Sequence, residues 1–478
     1  MKRSVAVAAV LLAGWCVPAR AQTSAPMAAP AVQLPAIQAG TGSNPFLGSV
    51  PPGPPTETPL PLSLADAVAR ALKYNLGAVQ GQQDVEQARG ARRQALAALL
   101  PSISTSVSDV GQQINLEAFG FPSFPGVPAI IGPFRVFDAR VYLSQQVLNF
   151  PALHHAREEA QKLSAARDDY RNARDLVVLV SANLYLQTVA AQSRIDAATA
   201  QRDTAKALDT LAQDLKTAGL TAGIDVLRAR LQLQVAQQRL IVAQNGFDKL
   251  KLQLARAIGL PVSQPFTLTD KIPYAPLQPM SLDAALQMAY TSRGDYLAAE
   301  KRVQAASDAR LAARGERLPS VAFTANYGDI GLTVAGARET FAVAGVVQVP
   351  VFQGGRVGGD VAQADAELAR RRAQLGDIKE RIQYDVRAAF LDLKAAEDQL
   401  KVAQTTVDLA NQELAQARDR FSAGVADNVE VVQAQQAVAE ASENYISSLY
   451  AHNVAKASLA RALGIGEEAV KSYLGGSR

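Results

Sequence analysis

The chain has almost no cysteine. Its one thiol, Cys16, lies in an N-terminal segment with the marks of a secretory signal. Lys2 and Arg3 give the positive start, residues 5–12 an apolar run, and Ala19-Arg20-Ala21 a small-x-small cleavage site. Cleavage there starts the mature chain at Gln22, without cysteine, which excludes disulfides and thiolate chemistry. Trp15 sits where a lipid-anchor site at Cys16 needs a small residue. Histidine is nearly absent too, at three residues: His154, His155 and His452. Neighbours on a helix point ~100° apart, so His154 and His155 cannot readily share one metal. No Gly-x-x-x-x-Gly-Lys-[Ser/Thr] loop and no His-Glu-x-x-His pair occurs. The acids are scattered along helical stretches, and no constellation supports hydrolysis or group transfer. These absences point away from an enzyme and imply no cofactor and no metal.

No stretch after the signal approaches 18 uninterrupted apolar residues, so no transmembrane helix is expected in the mature chain. Export without a helical anchor leaves the periplasm, the exterior, or an outer membrane entered as a β-barrel. An excess of basic charge is also lacking. The formal net charge is +4 over 478 residues, and removing Lys2, Arg3 and Arg20 with the signal lowers it to +1. Basic residues are interleaved with acids, so no nucleic-acid partner is indicated. Aromatics make up only 6% of the chain.

What is abundant is helix-forming sequence, arranged as a repeat. Residues 22–61 form a Pro/Ala-rich leader without periodicity, expected to be disordered or extended. Beyond it, Ser63-Leu64-Ala65-Asp66-Ala67 matches Ser281-Leu282-Asp283-Ala284-Ala285, and Leu100-Pro101-Ser102 matches Leu318-Pro319-Ser320, both at an offset of 218. Val147-x-x-Phe150 matches Val349-x-x-Phe352 at an offset of 202. Ala218-Gly219 matches Ala423-Gly424, and Leu254-Ala255-Arg256-Ala257-Ile258-Gly259 matches Leu459-Ala460-Arg461-Ala462-Leu463-Gly464, at an offset of 205. Collinear matches of this length mean internal duplication, with a period too long for a solenoid. The expected organisation is a signal at 1–21, the leader at 22–61, a first repeat at 62–265, a linker at 266–280, a second repeat at 281–466 and a tail at 467–478.

Each repeat has the same order of elements. A helix comes first, at 64–99 and 282–317, capped by Ser63 or Ser281 with Asp66 or Asp283 in its first turn. Two strands follow, at 102–116 and 134–148, then at 320–333 and 338–351. Phe323, Ala325 and Tyr327 share one face, and Thr324 and Asn326 the other. Phe341, Val343, Val347 and Val349 oppose Gln348. Phe137, Val141, Leu143 and Val147 oppose Arg140, Ser144 and Gln146. This alternation fits a membrane β-strand and equally an ordinary half-buried strand. The 117–133 loop, with Phe119, Phe121 and Phe124, suits an exposed turn. Long helices follow: residues 152–218 contain no Gly or Pro, enough for a rod of ~100 Å, and 359–422 match them. Turns at 219–223 and 424–427 lead into returning helices at 224–258 and 427–463. Four antiparallel strands cannot close a barrel, and an open edge cannot sit in lipid; three chains give twelve.

The Ser-Leu-x-x-Ala helix starts, the Leu-Pro-Ser boundaries, Val-Pro-Val-Phe-Gln-Gly-Gly at 349–355 and the tip sequence at 421–435, duplicated in fixed order over residues 60–466, carry a resemblance. The chain resembles the TolC-like outer-membrane efflux proteins. The resemblance implies a mostly α fold with a small β part. In it, a homotrimer joins a trimeric α-helical barrel in the periplasm to a 12-stranded transmembrane β-barrel. It implies a passive export duct whose tip meets a periplasmic membrane-fusion adaptor and, through it, an inner-membrane pump that supplies the energy. In such proteins the tip is closed by inward coiling. Glu430 falls on the first acid position of the constriction, and the second falls on the uncharged Gln433. The tip arginine falls on Ala426, the tyrosine on Phe421, and the network acid on Asp225. Two readings of Glu430 remain: a charged ring in a threefold pore, or a solvated helix residue. Asp225 is either part of the closing network or a first-turn acid. Gly219, Gly223, Gly424 and Asp427 form the tip turns, where the adaptor docks. A periplasmic coiled-coil adaptor or scaffold is the alternative, and it requires soluble strands.

Overall fold

The computed structural model describes residues 44–120, 128–270, 280–423, 425 and 428–472. The expected signal, residues 22–43 of the leader, Phe121, Phe124, linker residues 271–279, Gly424, Ala426, Asp427 and the last six residues lie outside them. The elements in chain order are β1 (Leu60–Leu62), α1 (Leu64–Tyr74), α2 (Leu76–Ala97), β2 (Ser102–Asn115), β3 (Ile130–Leu148), α3 (Phe150–Thr217) and α4 (Gly223–Ile258). Then come β4 (Phe266–Leu268), α5 (Leu282–Ser292), α6 (Gly294–Gly315), β5 (Ser320–Gly331), β6 (Arg338–Gln348), α7 (Arg356–Ser422), α8 (Asn428–Leu463) and α9 (Gly466–Ser472). Helix, strand pair, long helix and returning helix thus occur twice.

The first helix of each repeat differs from the single rod expected. It starts as expected: the Ser63 hydroxyl accepts from the Asp66 N–H at 3.1 Å while the Asp66 carboxylate accepts from the Ser63 N–H at 3.3 Å, a reciprocal cap worth ~1 kcal/mol. About a third of the way along, the chain leaves helical geometry at Asn75 (ψ 136°), and at the duplicated position Arg293 (ψ 118°). Asn75 then caps α2 through the Gly77 N–H at 2.9 Å and donates to the carbonyls of Phe46 and Ala257. The break lets α1 pack on both α3 and α4, and α5 on both α7 and α8.

The end of the expected leader is ordered against the chain. Thr56 donates through its N–H to the Gln264 side chain at 2.7 Å, and β1 pairs in parallel with β4, inside the expected linker. Extended segments need ladder partners, and these two find each other. Beneath them the largest core gathers α1, α3 and α4 around Leu62, Val68, Val177, Tyr185, Leu254 and Ile258. The second repeat builds its own core from α5, α7 and α8 around Ile382, Val386, Leu459 and Leu463. The residues after the second repeat, expected as a tail, begin as α9, pinned by the Arg174–Glu467 pair at 2.8 Å.

Lateral order is the feature that positions the site. The sheet runs β2-β3-β5-β6, antiparallel throughout, so β2 and β6 are its edges. Next to the sheet the helices contact in the order α2-α3-α6-α7, and at the far end α4-α3-α8-α7. On one flank α2 leads into β2 and α4 takes the matching outer place beside α3, and on the other α7 follows β6. Both flanks leave apolar rows exposed: Ile224, Leu227 and Leu231 on α4, and Leu391, Val402 and Leu409 on α7. α3 contains one stretch long and apolar enough to cross a bilayer by composition, but more than half of it is buried within the chain.

Candidate functional site: the helical tip and the sheet

At the tip, two helical hairpins close with equivalent backbone hydrogen bonds. In the first, the Leu220 N–H reaches back to the Leu215 carbonyl at 2.9 Å across Gly219, whose φ is +74°. A left-handed residue lets the chain reverse while using the last helical carbonyls, and only glycine adopts it without penalty. In the second, the Val425 N–H reaches the Arg420 carbonyl at 3.0 Å, at the same offset of 205. Gly223 is the first helical residue of α4, not part of the turn.

Asp225 lies in the first turn of α4. Its carboxylate accepts from the Thr221 hydroxyl at 3.0 Å and faces the Arg228 guanidinium at 3.4 Å. Its backbone carbonyl accepts from Asn428 Nδ2 at 3.1 Å, joining α4 to α8. Asn428 is only 2% exposed. Glu430 lies in the first turn of α8, where its carboxylate faces Arg420 of α7 at 3.4 Å. Both groups are largely exposed. Gln433, one turn on, is exposed. Phe421 is buried with Leu208, Leu414, Ala417, Val431 and Ala434, closing an apolar plug between α3, α7 and α8.

Sequence reasoning missed Arg420 and Asn428. Arg420 precedes the position where the resemblance looked for an arginine, and its signal was a cation in the last turn of a helix. A third group was also missed. His155, Glu158 and Glu159 offer ligand atoms within 4.8 Å of one another, at helical spacings of three and four. The Lys162 ammonium lies 2.6 Å from Glu158 and 2.7 Å from Glu159. Burial works against that ammonium, but the two carboxylates outweigh it and raise its pKa. His154 turns instead toward Asp308, at 3.5 Å.

The sheet has two chemically distinct faces. Cross-strand neighbours Ile103, Leu143, Ala325 and Val343 form one apolar row, and Thr105, Val141, Tyr327 and Phe341 the next. On the other face, Ser102, Ser144, Thr324 and Ala344 are followed by Ser104, Tyr142, Asn326 and Ala342. Ile103, Val107, Phe341 and Val343 are each more than 60% exposed, so none of the described residues covers the apolar face. An uncovered apolar sheet with a polar reverse has the two-faced pattern of outer-membrane β-strands.

A wall of this kind on coiled rods defines an outer-membrane channel. The family model for outer membrane efflux proteins matches residues 68–260 and 285–465, one stretch in each repeat. The pyoverdine export outer membrane protein OpmQ of Pseudomonas putida is 24% identical over 413 residues, covering 84% of this chain and 85% of that protein. The alkaline protease secretion protein AprF of Pseudomonas aeruginosa is 22% identical over 423 residues, covering 85% of each. The crystal structure of the outer membrane protein VceC from Vibrio cholerae superposes with a TM-score of 0.71 at 18% identity, covering 84% of this chain and 96% of that one. The chain belongs to the outer membrane efflux protein family. It is the outer-membrane channel component of an efflux or type I secretion system.

Proposed function

We propose that three copies close into one passive duct, with a twelve-stranded barrel in the membrane and a helical barrel in the periplasm. The carrying observation is that the same two flanks are open at every level. β2 and β6 are both edge strands, and an unpaired N–H or C=O in hydrocarbon costs several kcal/mol. Pairing β6 of one copy with β2 of the next removes both edges. The same rotation brings the apolar row of α7 against that of a neighbour's α4.

In this reading residues 1–21 are the cleaved signal, and the repeats span 62–265 and 281–466. The tip around Gly219, Gly223, Gly424 and Asp427 meets a periplasmic adaptor, which links the duct to an inner-membrane pump. Three copies of Glu430 ring the entrance, where acids favour cations. Gln433 leaves the next level uncharged, and Asp225 belongs to the closing network through its backbone. The cargo is a small molecule or a protein, as the names of the similar proteins span both.

The mature chain has no cysteine, which makes the closure directly testable. Single cysteines at residues 103–106 of β2 are combined with single cysteines at 343–346 of β6, and outer membranes are oxidised. A disulfide-linked trimer on a denaturing gel is expected for the pairs in register. Monomers alone across the whole matrix would overturn the closure.

A further inference from the structure

The polar face of the sheet carries its charges at one end, away from the helices. Register places Ser108, Asp138, Ile330 and Arg338 in one cross-strand row, and Ser106, Arg140, Gly328 and Thr340 in the next. Two arginines and one aspartate therefore sit within two rows. Arg140 Nε donates to Asp138 Oδ1 at 2.6 Å, and its Nη2 pairs with Oδ2. Gly328 lies directly opposite Arg140. A Cβ there would stand 2.7 Å from Arg140 Cγ and 2.1 Å from the Ala139 carbonyl. The missing side chain lets Arg140 lie along the wall with its charge met by Asp138. Arg338, exposed at the start of β6, is the remaining charge of the pair of rows. The other charges at this end are disposed differently. Asp329, Glu339 and the Asp109–Arg135 pair have the opposite parity and stand on the apolar face. Glu117 lies in the turn beyond β2.

We propose that these residues form an anion-binding collar at the outer mouth of the duct, with Arg338 supplying its net charge and multivalent oxyanions as its ligands. The collar rests on the reading of the polar face as the lumen of a threefold barrel. On the polar face alone each chain contributes two cations and one anion, so three chains line the lumen side of the opening with a net charge of about +3, where rings of arginine favour anions. Its sign is opposite to that of the Glu430 ring at the other end. The duct thus has a cation-preferring entrance and an anion-preferring exit. Asp138 sets the strength of the collar by neutralising Arg140.

Single-channel recording of the full mature protein in a planar bilayer tests this, in ~10 mM KCl, where the screening length is ~30 Å. Inorganic tripolyphosphate is added on the side of the β5–β6 hairpin. Wild-type current is expected to fall. Arg338→Gln should raise the half-blocking concentration several-fold, Asp138→Asn should lower it several-fold, and Glu430→Gln should leave it unchanged. Equal block of wild type and Arg338→Gln, or no block of wild type, would overturn the collar while leaving the duct intact. Absence of conductance steps from wild type would overturn the duct reading, and the collar with it. Arg338 is exposed beside a turn, so its variant tests the collar even where Asp138→Asn fails to assemble.

Discussion

The Asn428 side chain donates to the backbone carbonyl of Asp225 at 3.1 Å, tying the first turn of α8 to the first turn of α4. It joins the two tip hairpins of one chain at a buried contact. A net hydrogen bond is worth about 1 kcal/mol, roughly fivefold in an equilibrium. Asn428→Ala should therefore raise the open probability of reconstituted channels about fivefold per protomer. Open probability equal to wild type would show that this contact does not hold the tip.

The proposed Glu430 ring should govern ion preference more than stability. Its pairing with Arg420 is long and exposed, so losing it should change unfolding by less than ~0.5 kcal/mol. Glu430→Gln should shift the reversal potential in a salt gradient toward weaker cation preference. An unchanged reversal potential would remove Glu430 from the constriction and leave it a solvated helix residue.

Tyr185 anchors the strap formed by β1 and β4. Its hydroxyl is buried and contacts the Leu62 carbonyl and the Asp270 carboxylate, each at 3.0 Å. Burial, then the Asp270 charge, push its pKa far above the usual tyrosine value, so it stays protonated and remains a donor. Tyr185→Phe should cost about 1–2 kcal/mol. It should speed amide exchange at residues 60–64 before it affects the long helices. Exchange at those amides unchanged from wild type would rule out the anchor.

Arg293 sits almost wholly buried between Asp295 at 2.7 Å and Asp385 at 2.9 Å. Burial pushes the Asp295 carboxyl up, but hydrogen bonding and charge from Arg293 outweigh it and leave the pKa below the usual range. A depressed carboxylate pKa contributes stability that is fully present above the unfolded value of ~3.9 and is lost as pH falls through the folded value. Arg293→Ala should destabilise by roughly 1–3 kcal/mol at neutral pH, because it leaves two half-buried carboxylates without their partner. The loss should shrink below about pH 4 as Asp295 protonates. A pH-independent loss in chemical denaturation would contradict the pairing.

The long helices were legible because residues 152–218 contain nothing that ends a helix, and α3 runs from Phe150 to Thr217. The strands were legible from alternation and from turn residues, to within a few positions. The break at Asn75 and Arg293 was not legible. Neither residue terminates a helix by itself; the break is fixed by tertiary partners such as the Ala257 carbonyl, 182 residues away. The three-residue pairing of β1 with β4 was hidden for the same reason. At the tip, Glu430 and Asp225 were visible as first-turn acids. Asn428 was not, because its role depends on where another hairpin's carbonyl lies. Arg420 was overlooked because the resemblance directed attention to position 426.

Closure by three copies is the claim on which the barrel, the acid ring and the outer collar all depend. Native mass spectrometry of the protein, extracted from outer membranes in a mild detergent, measures it directly. A single species of three times the mature chain mass is predicted. A monomer or dimer as the species that conducts in bilayers would contradict it.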